Sequence, residues 1–370
     1  MNDIPVVTII IPCLNEINFI DTCLTSVLNF ELNSGSFEVI VVDGMSTDGT
    51  RNALAWWTMR YPKYMRVLDN PYQIVPTAMN IGIREARGRW IVRLDAHSMY
   101  PSDYLSLCLD TAMSSNADNV GGVVIPQRKD ETRQASLIQA LTTHSFGVGD
   151  AEFRLETTSA YVDTVPFGCY RRDVFEKIGL FDERLVRNQD YEFNRRLTSA
   201  GGRIWLNPDI RIYYYNEPTL GELFQQARYT GRWNPYMWVV APYSFSPRHA
   251  IPGLFLLGLL KGILAIHLLP VLVLPYGMIL LLYGILALIS AAQQSYKYGK
   301  WMLPILPFLF LLYHLNYGYG ILRGVIDVLL HRSPVQNGQE VWKGAGFKLI
   351  KPKELKNGFV YSAQQITVDP

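Results

Sequence analysis

The stretch Val6-Val7-Thr8-Ile9-Ile10-Ile11-Pro12-Cys13-Leu14-Asn15-Glu16 decides the fold. Six β-branched residues in a row suit a strand buried on both faces, and after Pro12-Cys13-Leu14 they give way to the polar pair Asn15-Glu16. The same construction recurs along the chain. Phe37–Val42 (FEVIVV) ends at Asp43-Gly44, and Trp90–Leu94 (WIVRL) ends at Asp95-Ala96-His97, with a shorter strand at Met65–Leu68 between them. Helix-like segments fill the gaps. They lie around Phe19–Leu28, from near Thr50 with Ser46, Thr47 and Asp48 as capping residues, and over Pro76–Ala86 up to Gly88. Strands alternating with helices at this spacing predict an α/β domain with a parallel, doubly wound sheet over residues 1–125.

Ligands in such sheets bind beyond the carboxyl ends of the strands. Three strand ends are polar in the same way: Pro12 to Glu16, Asp43-Gly44, and Asp95-Ala96-His97. One acid after a strand is an ordinary turn or cap residue. Three of them on the ligand-binding face point to a site. There is no G-x-G-x-x-G after the first strand and no G-x-x-x-x-G-K-[ST] anywhere, so dinucleotide and P-loop grips are excluded. A nucleotide here would be held by carboxylates and a metal instead. Asp95-x-His97 offers one hard oxygen and one imidazole, which suits Mn²⁺ or Mg²⁺ on a diphosphate better than calcium.

Composition narrows the class. The 370 residues are 49% hydrophobic and 18% charged with net charge +2, which excludes a disordered chain and a nucleic-acid binder of the basic-patch kind. Cys13, Cys23, Cys108 and Cys169 lack any C-x-x-C spacing, so neither a disulfide framework nor a zinc knuckle is expected. Charge is unevenly spread. Gly262–Tyr296 and Trp301–Leu322 contain no Asp, Glu, Lys or Arg, and a membrane span needs roughly 20 apolar residues. Val271–Ala292 and Trp301–Leu322 are the predicted spans, with 251–269 interfacial, re-entrant or a third span. Buried core helices of a large soluble enzyme are the alternative, but such helices normally keep a charged face. The N-terminus has no signal-peptide pattern and the tail is basic, so both ends are expected in the cytoplasm with an even number of crossings.

Together, PCLNE at 12–16, VVDGMSTDGT at 41–50 and D-A-H at 95–97 resemble the family 2 glycosyltransferases of GT-A fold. VPFGCYRRDVF at 165–175, IGLFDE at 178–183 and NQDYEFNRR at 188–196 fit that family's acceptor half. The order of these pieces is similar to the ExoA-like branch, whose members act in bacterial exopolysaccharide assembly of the succinoglycan type. The resemblance covers residues 5 to about 240. It implies a mixed-sheet GT-A domain over 1–240, with a nucleotide-sugar half at 1–125 and an acceptor half at 126–240. Interfacial and transmembrane segments over 241–330 and a basic tail at 331–370 would follow.

The resemblance also implies roles. Pro12, Asn15, Glu16 and Asp43 would contact the uracil and ribose of a UDP-sugar. Asp95 would hold the ribose or the metal, and His97, which stands where the family usually has Asp, would bind Mn²⁺ or Mg²⁺. Asp190 would be the catalytic base. Gln189 precedes it where Glu is usual, and one like charge fewer keeps Asp190 more readily ionised. Glu192, two residues on, points to another helix face, and an N-cap is the alternative role for Asp190. Gly168, Gln225, Arg228 and Tyr229 would line the acceptor end. Tyr229 replaces the Trp of the family's Q-x-x-R-W, which weakens a case for processive synthesis. Arg171 and Arg172 are candidates for phosphate or acceptor binding, or simply surface arginines, and His144, His249 and His314 are expected to be structural.

The implied activity is inverting transfer of a hexose to a polyprenyl-diphosphate-linked or other membrane acceptor, with the catalytic domain facing the cytoplasm at a bacterial inner membrane. A processive polysaccharide synthase would need more spans to form a channel. A scaffold with a dead domain is disfavoured by the intact Asp95, His97 and Asp190.

Overall fold

The structure is a computed structural model and describes residues 4–128, 131–149, 152–154, 158–216 and 219–334. The tail expected at 331–370 therefore lies outside the described residues beyond Pro334. Along the chain the main elements are β1 (Val7–Cys13), α1 (Ile20–Leu28), β2 (Phe37–Asp43), α2 (Thr50–Arg60), β3 (Met65–Asp69), α3 (Val75–Glu85) and β4 (Trp90–Arg93). Next come β5 (Ser98–Met99), α4 (Tyr104–Ser115), β6 (Asn119–Gln127), α5 (Arg133–Thr142), α6 (Ser145–Val148), β7 (Ala160–Tyr161) and β8 (Cys169–Arg171). The remainder are α7 (Asp173–Ile178), α8 (Gln189–Ser199), β9 (Ile204–Tyr215), α9 (Leu220–Val240), α10 (Pro247–Leu268), α11 (Val273–Tyr298) and α12 (Leu306–Leu329).

The strands form one sheet in the order β3-β2-β1-β4-β8-β6-β9-β5, with β7 beside β9. From β1 to β4 the pairing is parallel, as the alternating pattern predicts. The sheet then changes character. β8 runs antiparallel between β4 and β6, and β5 and β7 run antiparallel to β9. The whole is a mixed α/β sheet, with its parallel half built from the β-branched runs.

The described chain forms two compact units, residues 4–125 with 158–214, and residues 126–154 with 215–334. In the first, Ile9, Ile11, Val39, Val41 and Val92 meet Leu24 and Val27 of α1 and Leu105 of α4 in one core. All four cysteines are buried and unpaired there. Burial pushes the thiols of Cys13 and Cys23 far up, so they serve as small apolar fillers.

In the second unit, Leu137 and Leu141 of α5, Leu223 of α9, and Leu306 and Phe310 of α12 share a core. α12 lies close along α9: a Cβ on Gly320 would sit 2.1 Å from the Arg228 carbonyl oxygen. Arg232 of α9 pairs with buried Asp327 of α12 at 2.5 Å. Among the described residues two helices are long and apolar enough to cross a membrane, Pro247–Leu268 and Pro270–Tyr298, with mean hydropathy 1.9 and 2.4 and only 6% of each apolar window buried. The second contains the predicted Val271–Ala292. The first takes in nearly all of 251–269, read above as interfacial, re-entrant or a third span, whereas Trp301–Leu322, expected to be a span, is not one of the two. The reason is physical. Part of the charge-free run 301–322 is covered by protein, with Leu306 and Phe310 in the core, whereas in 247–268 Gly253 alone is buried.

Candidate active site

Three strand ends lie side by side. Cys13 pairs with Asp43 across β1 and β2, and Ile10 pairs with Arg93 across β1 and β4. The Gly44 N–H donates to the Cys13 carbonyl at 2.7 Å, and the Leu94 N–H to the Ile10 carbonyl at 3.0 Å. The loops beyond are stitched together. Asn15, in the left-handed region at φ 56°, donates its N–H to Ser46 Oγ at 2.8 Å and accepts from the Thr47 N–H at 2.8 Å. The Glu16 N–H donates to Thr50 Oγ1 at 2.9 Å, and the Ile17 N–H to Asp48 at 3.1 Å. Asn15 thus spends its amide oxygen on loop architecture. The predicted helix start also differs in detail, since Gly49 is the cap residue and Asp48 reaches forward to Thr50.

Asp43 is fully buried at the end of β2. Its Oδ2 accepts from the Ser46 N–H at 3.1 Å and from Arg51 at 2.6 Å. Its Oδ1 is buried with no hydrogen-bond partner. Arg51 also pairs with Asp69 at 2.9 Å.

Beyond β4, the Asp95 N–H donates to the Tyr100 hydroxyl at 2.7 Å, which fixes the turn. Nδ1 of His97 lies 3.1 Å from Glu16 Oε1 and 3.8 Å from Asp95 Oδ1. The imidazole packs edge-on against Tyr214, with ring centroids 5.0 Å apart. As they stand, no three His, Cys, Asp or Glu side chains among the described residues form a cluster arranged to hold an ion. The donors are nonetheless of the right kind: a carboxylate and an imidazole, both about a quarter exposed, suit an ion whose other ligands come from a diphosphate.

Asp190 joins this group through Arg93, whose guanidinium pairs with Asp190 Oδ2. Asp190 sits in the first turn of α8, after the cap residue Asn188 at φ 64°. It is therefore not the N-cap, and that alternative role falls away. What holds α8 is the rest of its sequence. Phe193 and Leu197 are buried as the (i, i+4) spacing predicts, and Asn194 donates to Thr164 Oγ1 at 2.9 Å and the Val165 carbonyl at 3.0 Å. Glu192 is fully buried and ion-paired to buried Arg196 at 2.8 Å. Replacing Glu192 with Gln leaves the Arg196 cation without its counter-charge. We expect Glu192→Gln to cost about 3 kcal/mol in folding stability, read by chemical denaturation, rather than to act on chemistry. An unchanged midpoint would contradict this packing.

The loop before α8 is anchored to α3. Asn80 donates to the Phe181 carbonyl at 3.0 Å and to Glu183 Oε1 at 2.8 Å, and accepts from the Phe181 N–H at 2.9 Å. Burial raises the Glu183 carboxyl to about 7, and neighbouring Asp182 adds to this, against the opposing influence of Asn80 and Arg84. A raised carboxyl binds its proton more tightly in the folded state. Its stabilising contribution is thus complete below about pH 4.5 and is lost as pH rises towards about 7. Stability should therefore fall by up to about 3 kcal/mol across that window, and Glu183→Gln should flatten the slope in urea melts at successive pH values.

Gly168 contributes its carbonyl, which accepts from the Arg93 N–H at 3.0 Å. Gln225, Arg228 and Tyr229 lie on α9 in the second unit, where Arg228 donates to Asn316 at 2.5 Å. Arg171 is held by Asp118 at 2.8 Å and Asp173 at 2.6 Å, and pairs in register with Trp90 at the start of β4, the opposite end from Asp95. It takes no part in the site. His314 lies within 2.6 Å of the Phe146 carbonyl, the structural role expected of it. Arg93 and Arg51 belong to none of the sequence motifs. A lone charge closing an apolar strand was the signal for Arg93.

A family model described as glycosyl transferase family 2 matches residues 8–179. The succinoglycan biosynthesis protein ExoA of Rhizobium meliloti is 28% identical over 86% of this chain and 94% of its own length. A dolichyl N-acetyl-alpha-D-glucosaminyl phosphate 3-beta-D-2,3-diacetamido-2,3-dideoxy-beta-D-glucuronosyltransferase of Methanococcus voltae is 27% identical over 86% and 97%. Among solved structures, a mannosyltransferase of Pyrobaculum calidifontis, in complex with GDP-Man and Mn²⁺, is similar with TM-score 0.52 at 19% identity over 88% of both chains. Residues 8–179 belong to glycosyl transferase family 2, the fold they belong to is GT-A, and the chain is a glycosyltransferase.

Proposed function

We propose that this glycosyltransferase takes a sugar from a UDP-sugar and transfers it, with inversion, to a lipid-linked saccharide at a membrane surface. The observation that carries the donor end is Asp43. A buried carboxylate oxygen without a partner is costly, and the imide N–H of a nucleobase would satisfy it. Asn15 and Glu16 on the neighbouring loop, with Pro12 at the end of β1, would border the same nucleoside. Asp95 and His97 would hold Mn²⁺ or Mg²⁺, and when bound the ion would offset negative charge on the departing diphosphate.

At the other end, the acceptor hydroxyl attacks the anomeric carbon. The new C–O bond forms as the bond to the diphosphate oxygen breaks, and the proton passes to Asp190, a role typically worth 10²–10⁴-fold. Attack opposite the leaving group turns an α-linked donor into a β-linked product. The lipid end of the reading draws on α10 and α11, whose exposed apolar lengths suit a bilayer, and on Gln225, Arg228 and Tyr229 towards the acceptor. The relatives named for succinoglycan and dolichyl-phosphate sugars favour a saccharide acceptor carried on lipid. On this reading the catalytic domain faces the cytoplasm of a bacterial inner membrane.

Guanine also offers an imide N–H, and one structural neighbour binds GDP-Man, so the test sets the two bases against each other. Calorimetric titration of the full-length protein in detergent with UDP and GDP, each with Mn²⁺, should give binding for UDP, weakened when Asp43 is changed to Asn. Preference for GDP, or binding of neither, would overturn the donor assignment.

A further inference from the structure

We propose that Arg93 is the residue that positions the base, clamping one carboxylate oxygen of Asp190 so that the other is left for the acceptor hydroxyl. The inference rests on the reading of Asp190 as base. Arg93 is a charged side chain at the end of an otherwise apolar strand, and it is only 5% exposed. Its backbone is tied on both sides, in register with Ile10 of β1 and donating to the Gly168 carbonyl. Its guanidinium pairs with Asp190 Oδ2 and lies 5.4 Å from the centre of the Phe167 ring. Phe167 adopts φ 48°, a left-handed conformation rare for an aromatic residue and of the kind that gathers at functional sites.

The pair is incomplete in a telling way. Asp190 Oδ1 and Arg93 Nε are both buried, and neither has a hydrogen-bond partner. An ion pair kept only for stability gains nothing from leaving one acceptor and one donor of the pair unused. A hydroxyl group complements both, because it donates to a carboxylate and accepts from a guanidinium. Asp95 follows Arg93 by two residues, in the turn just past the end of β4, so the clamp on the base and the acid at the donor end lie on one short stretch of chain.

The test is a double-mutant cycle of Arg93→Met and Asp190→Asn on the full-length protein, measuring kcat, donor KM and UDP binding. Arg93→Met should lower kcat by about tenfold or more while UDP affinity stays within a few-fold, and Arg93→Lys should recover part of the loss. In the Asp190→Asn background, Arg93→Met should cost less than about twofold more, because its partner's function is already gone. Additive losses would overturn the proposal. So would a UDP affinity that falls as far as kcat, which would make Arg93 a donor-binding residue. If Arg93→Met does not fold, Arg93→Lys carries the same cycle. Near-normal turnover of Asp190→Asn alone would instead remove the base assignment, and the clamp with it.

Discussion

Asp190→Asn is expected to fold, to bind UDP-sugar nearly as the native protein does, and to lose at least about 10²-fold in kcat. The amide preserves shape and keeps one oxygen for Arg93, but it cannot take a proton from the acceptor. The structure sharpens the expectation, because Asn188 occupies the cap position and helix α8 does not depend on Asp190 to start. Stability should change through the Arg93 contact alone. Steady-state kinetics beside a thermal melt separate the two effects. Turnover within a few-fold of native at normal stability would mean that the base lies elsewhere.

His97→Ala is expected to lower turnover by about 10²-fold at limiting Mn²⁺ and to raise the metal concentration needed for half-maximal rate by at least about tenfold. The imidazole is over a quarter exposed and contacts Glu16, so its removal leaves the core intact. Titration of Mn²⁺ in the presence of UDP, followed by paramagnetic resonance, gives a readout independent of activity. The native protein should lose activity in excess EDTA and tolerate Mn²⁺ at least as well as Mg²⁺. Full activity in EDTA would remove Asp95 and His97 from the metal role.

Much of the parallel half of the sheet is legible in the sequence, and the reason is local. Runs such as Val7–Ile11 and Glu38–Val42 are buried on both faces, so each announces itself without reference to a partner. The antiparallel half is not legible this way. β8 is three residues long, and its place between β4 and β6 depends on pairings that no short window contains. The site divides similarly. Asp43, Asp95 and His97 can be found from strand ends alone, and Asp190 from its motif. Its partner Arg93 lies 97 residues away in sequence, a pairing that folding creates and spacing cannot reveal. Asn15 matches its motif, yet its amide oxygen holds Thr47 in place. Counting charges falls short at one point for a simple reason. A charge-free helix face looks the same whether lipid or another helix covers it, so Trp301–Leu322 reads as a span although Leu306 and Phe310 are covered by protein.

Incorporation of label reads directly whether a sugar passes from a nucleotide to a lipid. The purified full-length protein with Mn²⁺ and a membrane lipid extract is offered a panel of radiolabelled UDP-sugars, and label in the lipid phase is counted against UDP released. One donor should label the lipid phase in step with UDP release, with the anomeric configuration inverted in the product and the signal abolished in Asp190→Asn. UDP release without lipid-phase label, or a product that keeps the donor's configuration, would contradict the account.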